Sequence, residues 1–237
     1  MSSLRHKRQR RNHRGKTANT ETRILEIARD LLVAGGIQSL SMRAVAAKVG
    51  ISATAIYHYF DGKQDLVDRV VELGIRRLHE YLQQAITSQP AGSLEKLLAL
   101  AEAYIRFAYE NQQYFQVIYR IRSDALGRFE NLPVHSGYDL MRQCVGECIE
   151  NGVFRPGDPA VISTYLWSII HGLVTLTMTC SLHGGEPYGS GDQLETQMHF
   201  LRAFAPYISH GLQVPDTEKH YSDEDEITPI SIHAQIR

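Results

Sequence analysis

Cysteine is scarce in this chain. Three residues in 237, an odd number, cannot build a disulfide framework, and they suit a reducing cytoplasm. An overall charge is missing too: 25 Lys and Arg stand against 26 Asp and Glu, so the net charge of −1 gives the whole molecule no pull toward nucleic acid or an anionic membrane. No apolar stretch follows the basic N-terminus, so no secretory signal is expected. No segment of any length alternates polar and apolar residues, which argues against strands, and no internal repeat is present. Phosphate-binding Gly-Lys loops, a nucleophile elbow, a zinc-protease helix and a dinucleotide glycine fingerprint are all lacking, leaving no catalytic residue, metal or cofactor to assign.

What the chain does have is an uneven charge distribution. Residues 1–65 hold twelve Lys or Arg against five Asp or Glu, a net +7, whereas the remainder holds thirteen against twenty-one, a net −8. A basic head on an acidic body is the footprint of a nucleic-acid reader attached to a part that does not bind.

The head contains Ser41 to Lys63, SMRAVAAKVGISATAIYHYFDGK. Val45, Ala46 and Val49 share one face of a short helix, Gly50 supplies the left-handed residue that ends it, and Ile51 is a buried pivot. Ser52 is placed to cap a second helix from Ala53 to about Tyr59, with Ile56 turned inward. Helix, short Gly-containing turn and helix make a helix-turn-helix; the spacing alone also fits an ordinary helical hairpin of an all-α core. The outer face of the second helix decides for DNA: Ala53, Thr54, Tyr57 and His58 are small or polar, and none is acidic.

Before this unit, Ile24, Ile27, Ala28, Leu31 and Leu32 line one face of a helix from Glu21 to Ala34, with Thr20 as a cap and Gly35-Gly36 as its stop. Residues 1–19 are polar, basic and aperiodic, an expected disordered arm that either adds phosphate contacts or is a plain solvated tail. After Asp61-Gly62, a long amphipathic helix runs from Lys63 through Leu66, Val70, Leu78 and Leu82 toward Pro90.

Residues 20–66 resemble the DNA-binding domain of the tetracycline-repressor (TetR) family of bacterial transcription regulators. The resemblance rests on Ile24, Ala28, Gly36, Val45, Ala46, Gly50, Ile51, Ser52, Ile56, Tyr57, His58, Phe60, Lys63 and Leu66, and on the order GISATAIYHYFDGKQDL. Leu32, where phenylalanine is common, and Val45, where isoleucine is, are mild departures. The family resemblance places Ser52, Thr54, Tyr57 and His58 on the recognition helix and Lys63 on a phosphate. Arg43 and Ala53 complete the expected DNA-binding set. A lysine at a helix N-terminus, beside unpaired N–H groups, is a good phosphate partner on physical grounds as well.

The body reads as further helices: Ser93 to Asn111, Tyr114 to Ile121, Val134 to Asn151, Ala160 to Cys180 and Leu194 to Leu212, with a breaker region at Leu126 to Pro133. Ala160 to Cys180 has no charged residue and the length of a membrane span, but its dispersed threonines, serines and histidine and its non-basic flanks favour a helix buried on every side. With Leu194 to Leu212 it is placed to pair with a second copy in a four-helix interface. It also resembles a subclass of the family marked by Trp167, His171 and Gly172. Tyr104, Phe107, Tyr119, Trp167 and His171 are the expected effector-binding residues, against the alternative of plain core packing. Cys144 and Cys148, at i and i+4, lack further ligands and read as buried small hydrophobes.

The expected organisation is therefore all-α. A basic arm (1–19) precedes a three-helix helix-turn-helix head (20–66), which a long helix joins to a helical dimerisation and effector-binding body (67–213) and an acidic tail (214–237). The expected protein is a cytoplasmic, nucleoid-associated homodimer that binds a double-stranded DNA operator and answers to a small-molecule effector, with no membrane and no cofactor. The rival readings are a helical small-molecule binder or scaffold that does not touch DNA, and a ligand-independent activator.

Overall fold

The computed structural model describes residues 2–121, 137–179 and 191–212, all of whose regular elements are helical. Helix α1 (Ser2–Ser39) buries Ile24, Ala28 and Leu32, an i, i+4, i+8 stripe. It is broken where the two glycines stand: Gly35 has φ −148° and Gly36 φ 67°, ψ −166°, neither helical. The Ser39 hydroxyl closes the break by donating to the carbonyls of Leu31 (2.6 Å) and Gly36 (2.8 Å). Two expectations change here. Residues 2–19 continue α1 as helix, where an arm without regular structure was expected, and Thr20 lies inside the helix instead of capping it. Arg, Lys and Gln, which recur through this stretch, are good helix formers.

Ser41 caps α2 (Met42–Val49) by accepting from the Ala44 N–H at 3.1 Å, and Gly50 ends it at φ 81°, ψ 33°. The N–H groups of Gly50 and Ile51 both reach the Ala46 carbonyl at 3.0 Å, the closure a left-handed residue allows. The second element is shorter than its sequence suggests. It is a 3-10 turn, Ala55–His58, held by i to i+3 bonds: Ala55 to Ser52, Tyr57 to Thr54 and Tyr59 to Ile56. The Ser52 hydroxyl also accepts from the Ala55 N–H at 3.0 Å. Ile56 and Phe60, both fully buried, anchor the turn four residues apart, so only about one turn fits between them and Asp61-Gly62.

Helix α3 (Lys63–Ile86) buries Leu66, Val67, Val70, Val71, Ile75, Leu78 and Leu82 along one stripe. The body is α4 (Leu94–Glu110), capped by Ser93 accepting from the Lys96 N–H at 3.1 Å, then α5 (Gln112–Ile121), α6 (Gly137–Glu150), α7 (Pro159–Thr179) and α8 (Gly191–His210). α3 packs most widely on α4 and α6 on α7; α4 also packs on α8, and α1 of the head leans on α5 of the body. Head and body thus share one continuous hydrophobic cluster. The breaker region, the start of the Val134 helix and the acidic tail lie outside the described residues.

Within one chain α7 is covered on one face, and the cover expected for the rest was a second copy. By length and composition it passes for a membrane span, Pro159–Met178 with a mean hydropathy of 1.4, but only 17% of that window is buried. Ser163, Ile170 and Val174 face the body, while Val161 (65%), Tyr165 (50%) and Leu176 (50%) are exposed. One chain supplies neighbours for one face alone.

At Gly74 an added Cβ would lie 3.2 Å from Tyr114 and Ile118 of α5, so α3 and α5 approach through the missing side chain. Gly74→Val should lower unfolding stability by about 1–3 kcal/mol through overpacking. Urea denaturation checks this; an unchanged midpoint would show that α5 can retreat freely.

Candidate nucleic-acid interface and sensing body

Capping fixes the head from inside and leaves its outer surface free for other work. Ser52, Ala53, Thr54, Tyr57 and His58 are all exposed on or beside the 3-10 turn, and Tyr57 is 54% exposed, an unusual position for a large aromatic with no packing role. Arg43 and Lys48 are exposed on α2. Lys63 is the first residue of α3, half-buried, after Gly62, which offers no side chain to cap the helix. The Asp65 carboxylate reaches back to the Asp61 N–H at 2.9 Å and fixes the entry to α3. The structure thus brings six of the seven expected DNA-facing residues to the head surface, with Lys63 half-buried beside them. Two other cations prove to be structural: Arg23 donates to the Val49 carbonyl at 3.4 Å, and Arg69 pairs with Glu21 at 3.1 Å.

Where head meets body, the buried ring of Tyr114 in α5 lies between two guanidinium groups. Arg29 of α1 is 5.0 Å from its centroid and Arg77 of α3 is 4.7 Å away. Cation–π contacts of this kind contribute about 0.5–2 kcal/mol each, the larger values where water is excluded. Sequence reading missed this junction, since the three residues come from three separate helices.

In the body, four of the five aromatic or imidazole residues expected to bind effector are brought together. Tyr104 and His171 share a hydrogen bond of 2.8 Å between the hydroxyl and Nδ1, and the His171 ring lies 4.6 Å from Tyr119 and 5.9 Å from Trp167. Phe107 is not with them. It is fully buried on another face of α4, edge-on to Tyr81 at 5.6 Å. Burial pushes the Tyr104 hydroxyl above its ordinary range and holds His171 below its own. The 2.8 Å bond thus joins a protonated hydroxyl to a neutral imidazole.

The open space lies elsewhere. A cavity of about 340 Å³ sits between α4, α6, α7 and α8, with Leu98, Ala101, Ile170 and Leu201 among its walls, and none of the five expected effector residues lines it. These are ordinary members of helical apolar stripes, so no residue type marks the gap in the sequence. Next to it, Lys96 of α4 pairs with Glu147 of α6 at 2.7 Å. The lysine holds the Glu147 carboxyl below its usual range. Cys144 and Cys148 are buried, and burial raises both thiols, Cys148 to about 11, so both stay protonated at neutral pH. Among the described residues no group of three or more His, Cys, Asp or Glu is arranged to hold a metal.

A neutral His171 has a pH signature. The unfolded chain takes up that proton near pH 6.5 while the fold resists it, so the folded state binds fewer protons and loses stability as pH falls below about 6.5. His171→Gln should flatten the decline in urea stability between pH 7.5 and 5.5. An identical slope in the variant would assign the loss to other groups.

Comparison with known proteins agrees with this geometry. Residues 24–70 match the family described as bacterial regulatory proteins, tetR family, and residues 97–216 match the tetracyclin repressor-like, C-terminal domain. The HTH-type transcriptional regulator YobS of Bacillus subtilis is 25% identical over 97 residues, 41% of this chain and half the length of that relative. YvkB of the same organism is 26% identical over 194 residues, covering 80% of this chain and 97% of the relative. Among solved structures, the TetR family transcriptional regulator PfmR of Thermus thermophilus superposes with a TM-score of 0.57 at 22% identity, over 81% of this chain and all of that one, and so shares the fold.

Proposed function

Because the chain belongs to the tetR family of bacterial regulatory proteins and is a DNA-binding transcription regulator, we propose that it acts as a homodimeric repressor that a small molecule releases from a palindromic operator. The observation that supports this best is the outer face of the head, where Ser52, Ala53, Thr54, Tyr57 and His58 are exposed and no acid is among them. In this reading Thr54 and Tyr57 read base edges in the major groove, and Arg43 and Lys63 hold phosphates. We assign no catalytic step and no cofactor to the chain, and place it in the cytoplasm with its DNA.

The dimer follows from two physical needs. One 3-10 turn reaches few base pairs, and two copies about 34–36 Å apart, or a multiple of that, reach successive major grooves. The exposed apolar face of α7 needs a cover, and a second copy related by a twofold axis supplies the same face in return. Trp167, His171 and Gly172 support reading the body as the subclass those residues mark. Effector binding favours a body geometry in which α3 sets the two heads at the wrong separation, and DNA affinity falls by the coupling energy.

Lys63→Ala should weaken binding about equally on all duplexes and lower the salt slope by roughly one unit. Thr54→Ala should instead change which operator a binding selection recovers. An unchanged salt slope removes Lys63 from the phosphate contacts, and recovery of the wild-type operator by the Thr54 variant removes that residue from base reading.

A further inference from the structure

Ligand sites are concave, apolar and usually formed before the ligand arrives, and they begin at about 300 Å³. The cavity between α4, α6, α7 and α8, at about 340 Å³, fits that description, and its construction says what would enter it. Each helix gives it a buried apolar wall: Ala101 from α4, Met141 from α6, Ile170 from α7 and Leu201 from α8, with Phe154 closing it from the α6–α7 connection. Leu212, another wall residue, is tied to the α6–α7 connection by the Arg155 N–H, which donates to its carbonyl at 2.8 Å.

Of its fourteen lining residues only Glu95 and Arg202 bear charge. Both side chains belong to exposed residues, and the Arg202 Nε is already bonded to Glu102 at 2.8 Å. A charged ligand would lose its hydration on entering the interior, where the buried walls Ala101, Met141, Phe154, Ile170 and Leu201 offer it no partner of opposite sign. An apolar one would lose nothing and cover surface that water now touches.

We propose that this cavity, and not the aromatic cluster, is the effector site, and that it takes an uncharged, predominantly apolar small molecule. The proposal deepens the regulator reading and rests on it for the word effector; the binding itself does not depend on DNA. The aromatic cluster is a poor receptacle because its rings already fill one another's contact distance, with centroids 4.6–6.4 Å apart. It is instead the neighbour that feels an occupant. Ala101 lies one turn before Tyr104 on α4, and Ile170 directly precedes His171 on α7. A molecule that separates these two walls also bears on the Tyr104–His171 hydrogen bond that joins them.

The test uses the full-length protein and N-phenyl-1-naphthylamine, an uncharged apolar fluorophore. Titration should give a saturable, blue-shifted enhancement with one site per chain. Ala101→Leu and Ala205→Phe, which fill the cavity from α4 and from α8, should each weaken it at least tenfold with helical content by circular dichroism intact. Two independent walls keep the test valid if one variant fails to fold. The anionic analogue 1-anilinonaphthalene-8-sulfonate should bind at least tenfold more weakly than the neutral probe. The proposal is overturned by wild-type affinity in a folded filled variant, by equal affinity for the two probes, or by loss in Trp167→Leu with both filled variants unaffected. A gel shift with random duplex at low salt on the same preparations separates the two readings. Lost duplex binding with intact probe binding would sink the regulator reading alone, and the reverse pattern would sink the cavity.

Discussion

The apolar stripe on α3 is the constraint on which the rest depends. Leu66 and Val67 at its start belong to the core of the head, and Ile75, Leu78 and Leu82 further along belong to the core of the body, so one helix is a wall of both. A linker between separate domains would let each half adjust by itself. Here neither half can repack without the other, because the buried residues recur along a single rigid rod with no break between Lys63 and Ile86. Tyr114 strengthens the arrangement from the side, since its ring touches cations of α1 and α3 together.

The two halves differ in electrostatic character as sharply as they cooperate in packing. The head exposes Arg43 and Lys48 beside its polar outer face. The body withdraws its interior from ionisation. Tyr104 stays protonated, His171 stays neutral, both buried thiols keep their protons, and the part-buried Lys96–Glu147 pair neutralises itself. A body of this kind answers to shape and apolar contact more readily than to charge.

What the sequence made legible was local. Ser41, Gly50 and Ser52 act within four residues of their partners, so their roles could be read from spacing, and the glycine stop at Gly35-Gly36 likewise. The recognition element was read as a helix because its pattern is helical; burial of both Ile56 and Phe60 shortened it to a 3-10 turn, a tertiary demand no local pattern reports. The aromatic residues of the body attracted attention by type, and the fold gathers four of them, yet it leaves its open space among aliphatic side chains. A cavity is a failure of distant stripes to meet. It has no signature in any one of them. The charge-free α7 was read as buried all round with a second copy as part of its cover; which face its own chain covers is a tertiary fact that composition does not record.

The close approach at Gly74 makes α3 a lever with its fulcrum near mid-length. Eleven residues separate Gly74 from Lys63, about 16 Å of helix at 1.5 Å per residue. A tilt of about 7° at the fulcrum would swing Lys63 by about 2 Å, several times the ~0.5 Å range over which a hydrogen bond keeps good geometry. With no Cβ at position 74, the rings and methyls of α5 bear directly on the α3 backbone, so angular slack at this bearing is kept small. With arms of nearly equal length, a displacement at the body end of α3 returns at the reading surface at about the same size and in the opposite sense.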